Sequence, residues 1–187
     1  MGEISAKQIK EARAPVSTMI VGAQRTGKTK FIVDLMENYK KKALVVVPDQ
    51  FEQKYKSWKT VTLETMGKSN REQIVFDWDD KFFLKTLRQK FMNGALIFDD
   101  TKFCLRPWNY LDFEDIIGRN RQANVDVFCM YHSFSRIPDF FWTYCKRLIL
   151  FKTILVDNDR KHRAMQYHVN ELARTNPYAR VMFNLDA

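Results

Sequence analysis

An α/β fold, a mostly parallel central sheet flanked by helices, is what this sequence predicts, and three stretches predict it. Residues 16–21, Val-Ser-Thr-Met-Ile-Val, run straight into Gly22-Ala23-Gln24-Arg25-Thr26-Gly27-Lys28-Thr29 and then into an amphipathic segment. Residues 43–47, Ala-Leu-Val-Val-Val, are a continuous aliphatic run ended by Pro48. Residues 95–98, Ala-Leu-Ile-Phe, are another, ended by Asp99-Asp100. Aliphatic runs too short for most helices read as strands covered on both faces of a parallel sheet. Strand, helix and strand in succession make a βαβ unit.

The connection after the first strand carries chemistry. A glycine, four residues, then Gly-Lys-Thr is the P-loop pattern, and its flanks, a strand before and a helix after, are the context it requires. Gly22 and Gly27 let the chain wrap tightly, so that successive backbone N–H groups point inward at phosphates. The helix beginning near Lys28 adds its positive end. Lys28 can reach the β- and γ-phosphates, and the Thr29 hydroxyl can ligate Mg²⁺. Gly22, Ala23, Gln24, Arg25, Thr26, Gly27, Lys28 and Thr29 are therefore the candidate ATP-binding residues.

The remaining elements follow in order. A lead-in over residues 1–14 is short and charged, with one or two helical turns around Ile4 to Ala12. The helix after the loop is expected over residues 28–41, with Phe31, Ile32, Leu35, Met36 and Tyr39 recurring at helical spacing and facing the sheet. Residues 48–60 carry Phe51, Tyr55 and Trp58 without clean periodicity and read as a loop or short helix, followed by a possible edge strand over 61–65. Asp79 or Asp80 can cap a helix running to about Asn93, with Phe83, Leu87 and Phe91 on one face and Asn93-Gly94 as the stop.

The strand ending in Asp99-Asp100, about 70 residues beyond Thr29, has the form of a Walker B element. Strands of an open α/β sheet present ligands at their carboxyl ends, so Asp99 is expected beside the phosphate loop, sharing the Mg²⁺ shell with Thr29. Asp100 would orient or deprotonate the attacking water. A helix opened by Pro107 and closed by Gly118 comes next, then Arg119-Asn120-Arg121 in a connection. Residues 125–131 read as a central strand whose carboxyl end carries His132 and Ser133; His132 there can sense the γ-phosphate or position water, or be a hydrogen-bonded histidine at a strand end. Phe140, Phe141, Trp142 and Tyr144 read as a short helix packed on the sheet, more in keeping with core than with base stacking. Residues 147–151 form a further strand, residues 157–173 a helix with Ala164, His168 and Leu172 at four-residue spacing, and residues 180–185 a last short strand after Asn176-Pro177.

Composition bounds the rest. A chain of 187 residues with 45% hydrophobic content fits one domain. No apolar run approaches the roughly 20 residues that cross a bilayer, and residues 1–13 are polar, so an intracellular protein is expected. Cys104, Cys129 and Cys145 are widely spaced and lack a metal-ligand pattern, which argues against disulfides and zinc. The net charge of +9 suits a polyanionic partner; Lys and Arg outnumber Asp and Glu eight to three from Lys146 to Arg180. A solvated basic face is the other reading of that excess.

The P-loop, the Asp99-Asp100 strand, the Arg119/Arg121 connection, the polar strand end at His132 and the Ile137-Pro138 that follows resemble, in that order, the FtsK/HerA superfamily of P-loop NTPases. The small size is most similar to the viral genome-packaging ATPases, and the likeness spans residues 16–185. The resemblance implies a RecA/FtsK-like sheet, ATP and Mg²⁺ as cofactors, and a ring, hexameric or similar, that drives DNA through its channel. Arg119 or Arg121 becomes a candidate finger reaching a neighbour's γ-phosphate. Also implied are contacts with capsid or portal proteins at a packaging vertex, in the host cytoplasm or the virion. Asp100 stands where such enzymes usually carry Glu, and His132 about where many carry Gln. These departures bear on hydrolysis and sensing, not on nucleotide binding. Asn-Lys-x-Asp and an Asp-x-x-Gly after Asp99 are missing, which argues against a GTPase. A small-molecule or nucleotide kinase, with Arg160 to Arg163 as a phosphate-clamping lid, and a nucleotide-gated DNA-binding protein with weak turnover are the alternatives.

Overall fold

The computed structural model describes residues 14–49, 53–154 and 159–185. The expected lead-in helix, Phe51, and the Asp157 start of the last helix fall outside the described residues. The molecule is built on one sheet of eight strands: β1 (Ser17–Val21), β2 (Lys42–Val47), β3 (Lys59–Thr60), β4 (Arg71–Val75), β5 (Gly94–Phe98), β6 (Val125–Tyr131), β7 (Arg147–Phe151) and β8 (Arg180–Asn184). Their spatial order is β3-β4-β2-β5-β6-β1-β7-β8, and every pairing is parallel except that of β7 with β8.

Period-two alternation divides the core. On one face Met19 and Val21 of β1 join Leu44, Val46, Leu96, Phe98, Val127 and Cys129. On the other, Ile20 joins Ala43, Val45, Ala95, Ile97, Phe128 and Met130. The first face is covered by α2 (Phe83–Lys90), α4 (Tyr110–Gly118) and α6 (Asp139–Tyr144), through Leu87, Phe113 and Phe141 among others. The second is covered by α1 (Lys28–Glu37), through Phe31, Ile32, Leu35 and Met36. Two single turns, α3 (Thr101–Cys104) and α5 (Asn120–Ala123), and the long α7 (Arg160–Leu172) complete the helices described. Phe141 is fully buried and touches Phe113 and Tyr131, so the aromatic segment is core, as expected. The three cysteines are buried thiols.

Several expectations are corrected. Helix α1 stops at Glu37 rather than 41, where Arg71 of β4 donates to the carbonyls of Met36, Tyr39 and Lys41 and closes the chain end. No strand occupies residues 61–65; the edge strand is β3, and beside it lies β4, both of which the sequence reading missed. Arg-Glu-Gln-Ile-Val looks too polar for a sheet interior, yet Glu72 is only 1% exposed. Its carboxylate accepts the N–H groups of Gly67, Lys68 and Ser69 at 2.5, 3.0 and 2.6 Å, and a buried charge so satisfied is tolerated. Helix α2 has Phe82 at its cap; Asp80 instead accepts the Phe82 N–H at 2.8 Å, one step ahead of the helix. Along α7 the inward stripe is Gln166 and Val169, continued by Ala173 just past its end, while Ala164 and Leu172 face solvent. Arg121 sits not in an open connection but on the single turn α5, with Arg119 at its cap.

Candidate phosphate-binding site

The loop after β1 is clamped between two neighbouring strand ends. Gly22 N–H donates to the Tyr131 carbonyl at the end of β6 (3.1 Å), and Ala23 N–H donates to the Lys152 carbonyl just past β7 (2.8 Å). Glycine at 22 is required by space: a Cβ there would lie 2.5 Å from Cβ of Phe151. Glycine at 27 is required by conformation, since its φ of +94° is one L side chains rarely adopt. The first intrahelical bond runs from Phe31 N–H to the Gly27 carbonyl (2.9 Å), so the N–H groups of Lys28, Thr29 and Lys30 lie ahead of the α1 ladder.

Lys28 is 7% exposed and its ammonium is held inside the loop. Nζ donates to the carbonyls of Gly22 (2.8 Å) and Ala23 (2.9 Å), while the Thr26 hydroxyl also donates to Ala23 (2.8 Å). Burial pushes the Lys28 amine down from 10.5 to about 8, against the opposing pull of Asp99 and Asp100 and with the help of Lys54.

Across the cavity stands the end of β5. Asp99 is 7% exposed. Asp100 takes a left-handed backbone, φ 55° and ψ 64°, which turns the chain sharply after the strand and is a conformation stored at few non-glycine sites. Strand β6 lies between β5 and β1, so His132 at its end reaches both sides. His132 Nδ1 is 3.3 Å from Lys28 Nζ, and Nε2 is 3.1 Å from Asp100 Oδ2. An ammonium can only donate, so Nδ1 accepts and the Nε2–H donates to Asp100. Lys28, His132 and Asp100 thus form one hydrogen-bonded line with a defined tautomer.

These groups surround a single cavity of about 880 Å³, which Thr29, Asp99, Asp100 and His132 line together with residues Gln24 to Lys28. Gly22 and Ala23 shape it from behind through their carbonyls. The structure does not bring Arg119 or Arg121 here: both precede β6, at the opposite end of the sheet, and Arg119 Nε pairs with Asp115 Oδ1 at 3.3 Å. Among the lining residues that the sequence reading did not assign to the site are Lys54, Tyr178 and Arg180. Lys54 belongs to a one-turn 3₁₀ helix, Gln53–Tyr55, anchored by the buried rings of Tyr55 and Trp58, whose edge-to-face centroids are 5.4 Å apart. That aromatic pair was a visible signal of an anchored turn. Tyr178 and Arg180 reach the site only because β8 runs antiparallel, and strand direction is not written in composition.

No family model matches this chain, and no curated protein matches it in sequence. Solved structures do match. The genome-packaging NTPase B204 from Sulfolobus turreted icosahedral virus 2, in complex with AMPPCP, is 13% identical with a TM-score of 0.71, over 92% of this chain and 93% of that one. The same NTPase in complex with ATP-gammaS is 14% identical with a TM-score of 0.69, over 92% and 93%. The chain has the P-loop NTPase fold. A more distant match is the N-terminal domain of zonular occludens toxin from Neisseria meningitidis, 14% identical with a TM-score of 0.51, over 92% of this chain and 95% of that one. Within this fold the loop clamped between β6 and β7 is the P-loop, and the carboxylates ending β5 face it. No helix among the described residues is long and apolar enough to cross a membrane.

Proposed function

We propose that this chain is an ATP-hydrolysing motor subunit that moves or packages DNA as part of a ring. The observation that carries the reading is the Lys28–His132–Asp100 line across the phosphate loop, which joins a phosphate-binding cation to a carboxylate able to act on water. B204, whose structures match along nearly the whole chain, is a DNA-packaging ATPase, and the net charge of +9 suits a phosphate backbone read without sequence.

The residues act in order. Arriving phosphates take Lys28 Nζ from the Gly22 and Ala23 carbonyls, and the N–H groups opening α1 close around them. His132 fixes one oxygen of Asp100, leaving the other to hold a water in line with the γ-phosphorus. As the water oxygen bonds to phosphorus, the bond to the β–γ bridging oxygen breaks, and the proton of the water passes to Asp100, giving ADP and phosphate. Thr29 and Asp99 would hold Mg²⁺, which supplies charge neutralisation on the phosphates. The donor set fits that ion: hard oxygens in one cavity, with no cluster of three or more His, Cys, Asp or Glu among the described residues that would form a cage of its own.

Arg119 and Arg121 are exposed at the far end of the sheet, a position from which an arginine serves only a neighbour's site. Mixing Arg119→Ala or Arg121→Ala chains with Asp100→Asn chains should then restore some activity at shared interfaces; no recovery at any ratio removes the finger. The decisive experiment is steady-state ATP hydrolysis with and without long double-stranded DNA. Stimulation by DNA that disappears in Asp100→Asn supports the motor. Turnover that is indifferent to DNA, or that needs a small phosphate acceptor, replaces it with a kinase or a nucleotide-gated binding protein.

A further inference from the structure

The phosphate cradle uses only part of its cavity. A volume of about 880 Å³ is near the upper end of sites that enclose a whole organic ligand, roughly 300–1,000 Å³. The space continues past the loop along Lys30, Phe31 and Asp34 of α1 to Tyr178 and Arg180 at the start of β8. Tyr178 is 59% exposed and lines the cavity, so its ring is open to a ligand there.

The backbone that carries the ring is fixed by a turn. Tyr178 N–H donates to Asn176 Oδ1 (3.0 Å), Ala179 N–H donates to the Asn176 carbonyl (2.9 Å), and Ala179 is buried beneath the turn at 3% exposure. Pro177 fixes the φ of the residue between. The ring edge stands against the P-loop, with Tyr178 Cδ1 3.2 Å from the position of a Cβ on Gly27, the residue before Lys28. Two residues on, the Arg180 guanidinium lies 4.9 Å from the Phe31 ring centroid, which sets a planar cation on the cavity wall.

We propose that Tyr178 is the platform on which the base of the bound nucleotide stacks, and that Arg180, held by Phe31, positions the base against it. An aromatic face beside a phosphate cradle recognises a feature that a nucleotide adds to its phosphates, a flat π-system. Stacking favours the larger purine over a pyrimidine and discriminates weakly between adenine and guanine, because both present the same kind of face. The inference rests on the reading of residues 22–29 as the phosphate loop.

Calorimetric titration of the full chain with two probes, ADP and inorganic tripolyphosphate, separates the two claims. Tyr178→Ala should weaken ADP binding about five- to hundredfold while leaving tripolyphosphate binding unchanged, and Tyr178→Phe should bind both as the wild type does. Unchanged ADP affinity in Tyr178→Ala overturns the platform. Equal loss for both probes also overturns it, since the ring would then shape Gly27 rather than meet a base. A wild-type chain that binds neither probe overturns the phosphate-loop reading and the platform together; one that binds tripolyphosphate with no added affinity for ADP overturns the platform alone.

Discussion

The two ends of the parallel sheet carry similar residues put to opposite uses. At the amino end, charges are spent on one another and on the chain. Arg88 Nη1 and Arg119 Nε share Asp115 at 2.7 and 3.3 Å, and Arg71 closes the carbonyls after α1. Asp126 accepts the Val16 N–H (2.9 Å) and the Tyr39 hydroxyl (2.5 Å). At the carboxyl end, Lys28 is held by carbonyls that a ligand can replace, and Asp100 by one histidine that leaves its second oxygen to the cavity. A polar residue with a structural partner stabilises; one parked on exchangeable partners beside a cavity is available for chemistry. Substitutions at the two ends should therefore fail differently.

The largest separation is expected at Lys28. Lys28→Ala removes the cation from the phosphate site, and kcat/KM for ATP should drop by about 10³-fold or more, whereas the fold should survive. Loss of nucleotide binding measured by calorimetry, with an unchanged melting curve, is the checking result; full activity would erase the distinction between the ends. Asp100→Asn comes next. It keeps the His132 contact available but removes the proton acceptor, so kcat should fall about 10²-fold with ADP affinity retained. An equal loss of binding would make Asp100 a structural residue like Asp126.

The pH response sharpens the same contrast. Burial holds Lys28 at about 8 when the site is empty, so below that pH it is an ammonium ready for phosphate. Above it the empty site holds a neutral amine, and binding must take up a proton. Nucleotide affinity should weaken by roughly tenfold per pH unit beyond 8, until the pKa of the bound lysine is reached. The γ-phosphate is fully ionised in that range, so the slope belongs to the protein. Calorimetry at pH 9 in buffers of different ionisation enthalpy should show uptake approaching one proton; affinity flat from pH 7 to 9.5 would contradict it.

Legibility in the sequence follows the same division. Aliphatic runs announced β1, β2, β5, β6 and β7, and the glycine spacing announced the loop, because both are local patterns. Asp99, Asp100 and His132 were legible as strand ends, since parallel strands deliver their ends to one side. Strand β4 was hidden because Glu72 is buried by three N–H donors from residues 67–69, a tertiary arrangement that reverses what a glutamate suggests. Tyr178 was hidden by the reversed direction of β8. Arg119 and Arg121 were read, by resemblance in chain order, as a finger for a neighbour's site, and the structure sets them where β6 begins, away from this chain's own cavity.

The smallest effect on activity should come from the amino end, at Tyr39. Its hydroxyl lies 3.2 Å from the Gly94 carbonyl and donates to Asp126 Oδ2, and burial together with that carboxylate raises its pKa far above the ordinary value. Tyr39→Phe leaves the packing of the ring intact and deprives Asp126 of one donor, with the Val16 N–H still in place on the other oxygen. The expected cost is about 1–3 kcal/mol of stability, a fall in melting temperature of roughly 2–4 °C per kcal/mol for a chain of this size. ADP affinity and kcat should be unchanged, because the Tyr39–Asp126 pair lies at the amino end of the sheet, away from the loop. A Tyr39→Phe chain that melts normally but binds nucleotide poorly would show that the two ends are coupled through β1, and the division of labour between them would fail at its simplest point.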